Sequence, residues 1–119
     1  MNKIMHSVLG TVYEVLFGDR EELHMSDDNM GECRVYGKKV LVCTESGDCS
    51  KEELEVRTTE IIAHEIFHAY ANEAGLDLDN DTEEMVAIFF MKNWKKMSDS
   101  ILALDKSRHL TEQRSCDIV

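Results

Sequence analysis

His64-Glu65-Ile66-Phe67-His68 is the stretch of this sequence whose residue types and spacing carry the most chemistry. Two imidazoles four residues apart lie on one face of a helix, so both can reach a single metal ion. Glu65, one residue along, points to the rim of that same place. There it can take a proton from a metal-activated water without itself being a ligand. The H-E-x-x-H pattern is the one by which zinc-dependent hydrolytic centres are read from sequence. The flanking residues Ile61-Ile62-Ala63 and Ala69-Tyr70-Ala71 are apolar, which sets the motif apart from an ordinary solvated helix face.

Two histidines do not complete a catalytic zinc site, which uses three protein ligands and one open position. The third ligand should come from the element after the motif helix. The candidates there are Asp77, Asp79, Asp81, Glu83 and Glu84, with His109 as an outsider. Glu83 and Glu84 both fall in the first turn of a following helix and point about a hundred degrees apart. Ala87 is a small residue among bulky ones and would let that helix approach the motif helix. Glu84 shares the face of Ala87, at a spacing of three, which favours Glu84 over Glu83. An alternative stays open: Asp81 with Glu84 three residues later is also a capping-box pattern, and a capping Glu84 would leave Glu83 as the ligand.

The elements that must position these residues follow from periodicity and punctuation. Ser50, with Glu53 three residues on, predicts a capped helix start, and Gly75 followed by Leu76 predicts its stop, so the motif helix should run from about Lys51 to Ala74. An acidic turn follows, and a further helix should begin near Thr82 and reach about Leu104. Upstream, Cys33–Tyr36 and Lys39–Thr44 read as a hairpin around Gly37-Lys38. The group Ser26-Asp27-Asp28-Asn29 reads as a turn. Residues 2–17 place Ile4, Met5, Val8, Leu9, Val12 and Leu16 at helical spacing with Gly18 as a stop, which predicts a first core helix. Residues 106–119 are polar and aperiodic and read as a tail, with Cys116 as a reactive thiol.

The expected fold is therefore α+β: three main helices with a small antiparallel β-hairpin or sheet. It forms a single domain over 1–105, followed by the tail. At 119 residues and 13.7 kDa the chain has length for one domain with a modest core. Hydrophobic residues make up 43% and charged residues 31%, and there is no proline to interrupt long helices. A net charge of −11 argues against nucleic-acid and anionic membrane surfaces, both of which call for clustered Lys and Arg. Cys33, Cys43, Cys49 and Cys116 make no C-x-x-C pair, so a structural zinc knuckle is not expected and the thiols read as reduced. With no signal segment or membrane-spanning run, the expected location is cytoplasmic.

His64, Glu65 and His68, together with the Glu84-Met85-Val86-Ala87 segment, resemble the minimal gluzincin metallopeptidases. The resemblance is to small HExxH proteins of phages and mobile elements, related in layout to the ImmA/IrrE and SprT-like groups, and it covers roughly residues 32–105. It implies a zincin-like fold and one Zn2+ held by His64, His68 and Glu84, with Glu65 as general base and a polypeptide as substrate. It also implies that an edge strand before the motif helix, here Lys39–Thr44, pairs with the extended peptide. The basic DNA-binding equipment of SprT-like repair proteases is missing from this chain. Two other readings remain: a non-catalytic zinc-binding module that engages a partner protein, and a metal-free helical protein. For a second oxyanion donor, His24 and His109 are the candidates. Tyr70, Phe89, Phe90 and Trp94 read as core or helix contacts, and Lys92, Lys95 and Lys96 as a solvated face.

Overall fold

A computed structural model describes residues 1–26 and 28–118 of the chain, with side chains through residue 112. Asp27 of the expected turn and the thiol of Cys116 lie outside what is described. The elements run β1 (Asn2–Val8), β2 (Thr11–Gly18), β3 (Gly31–Arg34), β4 (Lys39–Cys43), α1 (Lys51–Glu73) and α2 (Asn80–Ile118). The four strands form one mixed sheet in the order β1-β2-β4-β3. β1 pairs antiparallel with β2, β2 pairs parallel with β4, and β4 pairs antiparallel with β3. Among the described residues the fold thus has two helices and a four-stranded mixed sheet, not three main helices with a small antiparallel hairpin or sheet.

The correction lies in residues 2–17, which form β1 and β2 rather than a helix. Leu9 and Gly10 carry φ values of 49° and 89° and link Val8 to its partner Thr11. Two successive residues of positive φ make the tight turn whose twist matches a hairpin. From there Tyr13, Val15 and Phe17 alternate toward the interior, and the β-branched and aromatic residues of Thr11–Phe17 suit a pleated, half-buried surface. Their period of two wins over the period of 3.6 suggested by Ile4, Met5, Leu9 and Val12. Those four are more than half exposed rather than core, and only Val8 of the strip is fully buried. Gly18 ends β2 beside Cys43 instead of stopping a helix.

The sheet has two covered faces. Tyr13, Val15, Val40 and Val42 face α1 and bury against Ile61 and Ala69. Leu41 and Cys43, on the other face of β4, bury against Leu23 and Met25 from the loop after β2. Full burial of residues such as Val40 and Val42 contributes roughly 1.5–3 kcal/mol each. This makes β4 a strand apolar on both faces, as its run Val40-Leu41-Val42-Cys43 implies. The loop is pinned where the Arg20 amide donates to Glu45 Oε1 at 2.6 Å and its guanidinium donates to the Asn29 carbonyl at 3.0 Å.

α1 begins and ends where the punctuation places it. Ser50 is its N-cap, and its hydroxyl accepts from the Glu53 amide at 3.2 Å, an interaction worth about 1 kcal/mol. At the other end Leu76 N donates to the Ala71 carbonyl and Gly75 N to the Asn72 carbonyl, with Gly75 at φ 69°. These are the paired bonds of a Schellman stop, which needs a left-handed residue at Gly75. α2 starts two residues before Thr82 and does not end at Leu104, so the expected polar tail is helical through Ile118. No glycine or proline follows Gly75, and Arg108 bridges Asp105 and Glu112 at 2.8 and 2.9 Å across single helical turns, which supports the extension. Among the described residues, no helix is long and apolar enough to cross a membrane.

Candidate metal centre

α1 carries His64, Glu65 and His68 on the face that meets the start of α2 and the strand β3. The Nε2 atoms of His64 and His68 approach to 3.3 Å. Glu84 lies opposite, with Oε2 3.2 Å from His64 Nε2 and Oε1 2.7 Å from His68 Nε2. The ligand atoms of the three residues all lie within 4.8 Å of one another. Two nitrogens each bound to zinc at its usual distance and tetrahedral angle sit about 3.3 Å apart. The imidazole pair already has that spacing, so the donor set fits a tetrahedral ion with one position open.

Glu83 does a different job from Glu84. Its Oε2 accepts from His68 Nδ1 at 2.6 Å. A carboxylate on Nδ1 fixes the tautomer with the proton there and leaves the Nε2 lone pair free for a metal. The two glutamates are neighbours in sequence and point apart, so one can reach the open end of the histidine pair while the other reaches its back.

Capping does not compete for Glu84. Asp79 opens α2: its Oδ1 accepts from the Thr82 amide at 2.8 Å and its carbonyl accepts from the Glu83 amide at 2.9 Å. The Thr82 amide bond, first, and the Thr82 side chain hold the Asp79 carboxyl below its usual value. With Asp79 at the cap, the Asp81–Glu84 box is not needed. Ala87, fully buried, lets α2 lie close to α1, and Phe67 packs on Phe90 with ring centroids 5.9 Å apart.

The electrostatics suit metal binding and proton transfer. Burial lowers the His64 pKa, against the pull of Glu84, so its imidazole is neutral at pH 7 and can act as a ligand. Glu65 is 8% exposed, and burial pushes its carboxyl up to about 7. Gly31 at the start of β3 backs directly onto it. A Cβ there would stand 2.5 Å from Ile61 Cγ2 and 2.9 Å from Glu65 Cγ, so only glycine lets β3 come this close. Burial, and after it the carboxylate of Glu65, push the Cys33 thiol up to about 12.

An open cavity of about 440 Å³ lies over the site, walled by His64, Glu65, His68, Glu83 and Glu84 and by Gly31–Cys33 of β3. A second cavity of about 300 Å³ shares Gly31, His64 and Glu65 and has Met30, Ile61, Ile88 and Met91 as apolar walls. The strand beside the site is β3, the end strand of the sheet, whose outer edge pairs with no other strand among the described residues. Lys39–Cys43 lies between β2 and β3 and has no free edge, which corrects the expected edge strand. The hairpin reading located β4 but only the second half of β3, which runs Gly31–Arg34 with Val35 and Tyr36 in the turn rather than in the expected strand Cys33–Tyr36, and only the sheet order tells which strand is outermost.

The other named residues fall elsewhere. His24 is exposed in the loop after β2, and His109 lies far along α2, 3.7 Å from Asp105. Neither is near the cavity. Tyr70 is 40% exposed and Phe89 is 55% exposed, so neither is core. Lys92, Lys95 and Lys96 are solvated as expected. Sequence reasoning missed Gly31 and the role of Glu83. The doubled glutamate was a visible signal for Glu83, whereas nothing local marks Gly31.

Comparison with known proteins finds no family model, no curated protein and no solved structure that matches the chain. The functional reading therefore rests on the residues and the geometry of the site.

Proposed function

We propose that this protein is a zinc-dependent metallopeptidase, with His64, His68 and Glu84 holding the ion. The observation that carries the reading is the convergence of His64 Nε2, His68 Nε2 and the Glu84 carboxylate beside the buried Glu65. When bound, zinc supplies a water made acidic enough to attack at neutral pH and polarises the carbonyl under attack. Glu65 accepts the proton of that water and returns it to the amine that leaves. Its elevated pKa, near 7 by burial, matches a group that must both take and release a proton near neutrality. Glu83 keeps the His68 ring turned to the site. An extended polypeptide fits the free edge of β3, where backbone groups of Gly31–Arg34 can pair with it. The cavity beside Glu65, with Met30, Ile61, Ile88 and Met91 as its apolar walls, would take one of the peptide's side chains.

Zinc content and proteolysis of an unfolded protein substrate, measured together, test the reading. We expect one zinc per chain in the wild type, little zinc in His64→Ala, and retained zinc with lost cleavage in Glu65→Gln. A zinc-loaded wild type that cleaves no peptide bond would leave a non-catalytic binding module instead. A wild type that takes up no zinc at neutral pH would overturn the metal assignment itself.

A further inference from the structure

Ala87, Phe90, Trp94, Met97, Ile101 and Leu104 recur along α2 at alternating spacings of three and four. That is a coiled-coil seam of about three heptads. Its first part is already used: Ala87 is fully buried, and Phe90 stacks on Phe67 of α1. Beyond Trp94 the helix leaves the body of the protein. Every residue from 95 to 112 is exposed, and Met97, Ile101 and Leu104 are 47%, 63% and 71% exposed. The radius of gyration is 18.4 Å, against about 13–14 Å for a compact chain of this length. The seam thus continues in the same register past the end of its intramolecular cover.

The geometry points to a second copy of this chain as the cover, docked helix to helix along Trp94–Leu104. A repeating seam of this spacing is complementary to itself. The charges do not oppose the pairing. Lys92, Lys95, Lys96, Asp99 and Lys106 lie on the opposite face of α2, and the seam is flanked by the small or neutral Asn93, Ser98, Ser100 and Ser107 and by Asp105, whose charge is paired with Arg108 of its own helix. Arg108, at the end of the seam, is held by Asp105 and Glu112 of its own helix, which offset its charge. The four apolar side chains Trp94, Met97, Ile101 and Leu104 bury roughly 400 Å² per copy, so the pair reaches about 800 Å². This is the small end of protein interfaces, which implies a weak, micromolar dimer rather than a nanomolar one. The inference does not depend on zinc or on peptidase activity.

Sedimentation of the full chain over about 1–200 µM spans the range where such an interface titrates. The expected result is a reversible shift from 13.7 kDa to twice that mass. The double substitution Ile101→Asp with Leu104→Asp should weaken association at least about 100-fold, since it removes two apolar contacts from the seam. Both side chains are exposed, so the far-ultraviolet dichroism and melting of the dilute protein should not change. Leu110→Asp, on the opposite face, should leave association as it is. A chain that stays monomeric throughout the range would overturn the proposal. So would a dimer that survives the double substitution, because its interface would then lie elsewhere, for example on the free edge of β1.

Discussion

His68 and Glu83 are joined at 2.6 Å through Nδ1, on the side of the ring away from His64 and Glu84. The bond ties the end of α1 to the first turn of α2 and aims the second nitrogen of His68 into the site. Partners of this kind typically change metal affinity by about 10–100-fold when removed. On the proposed zinc assignment, Glu83→Ala should therefore weaken zinc binding by about that factor, and Glu84→Ala should weaken it more because it removes a proposed ligand. Competition with a chromophoric chelator measures both. Equal, negligible effects of the two substitutions would refute the division of labour between the two glutamates.

Removing the metal should also show in stability. An ion present at about a hundred times its dissociation constant stabilises the folded state by about 2.7 kcal/mol. For a chain of this length that corresponds to a fall in Tm on the order of 10 °C when a chelator is added. His64→Ala should melt at the chelated temperature whether or not zinc is present. Calorimetry with and without a chelator checks the pair.

Gly31 is predicted to be intolerant of any side chain. Its φ is not positive, so the penalty is steric rather than conformational: the new methyl would overlap Ile61 and Glu65. Overpacking of this size costs roughly 1–3 kcal/mol. Gly31→Ala should lower the denaturation midpoint by a matching amount and, on the proposed function, reduce cleavage further by displacing Glu65. Full activity with unchanged stability would show that the contact between β3 and α1 relaxes freely.

A pH-dependent contribution comes from the far end of α1. Glu73 accepts from Lys38 Nζ at 2.7 Å, Tyr13 Oη at 2.8 Å and Thr11 Oγ1 at 2.9 Å. These bonds, that of Lys38 first, lower its pKa from 4.5 to about 2. Because the folded value is the lower one, the stabilisation is present above pH 4.5 and is lost as pH falls toward 2. Urea midpoints measured from pH 6 to pH 2 should drop across that window in the wild type. In Glu73→Gln, which is less stable at neutral pH, the drop should be smaller. Parallel curves for the two proteins would remove Glu73 from the account.

Much of the centre was legible in one dimension because helices keep their chemistry local. His64, Glu65 and His68 share a face by spacing alone, and Ser50 and Gly75 act through bonds that span only a few residues. Glu84 was favoured over Glu83 on the same helical geometry, and Asp79 is the residue that frees it from a capping role. The N-terminal segment was illegible for a matching reason. Ile4, Met5, Val8, Leu9, Val12 and Leu16 satisfy a helical period, and nothing within the segment says that β4 will lie alongside Tyr13–Phe17 and reward the alternating face instead.

By itself the sequence determined the motif helix, its caps, the hairpin near Lys39 and the histidine pair, all products of contacts between near neighbours. The tertiary structure alone decided that β3 is the edge strand, that Gly31 must be bare where β3 meets α1, and that Glu83 and Glu84 serve opposite sides of His68. Strand order and helix approach depend on contacts between residues distant in sequence, and no local period encodes those contacts.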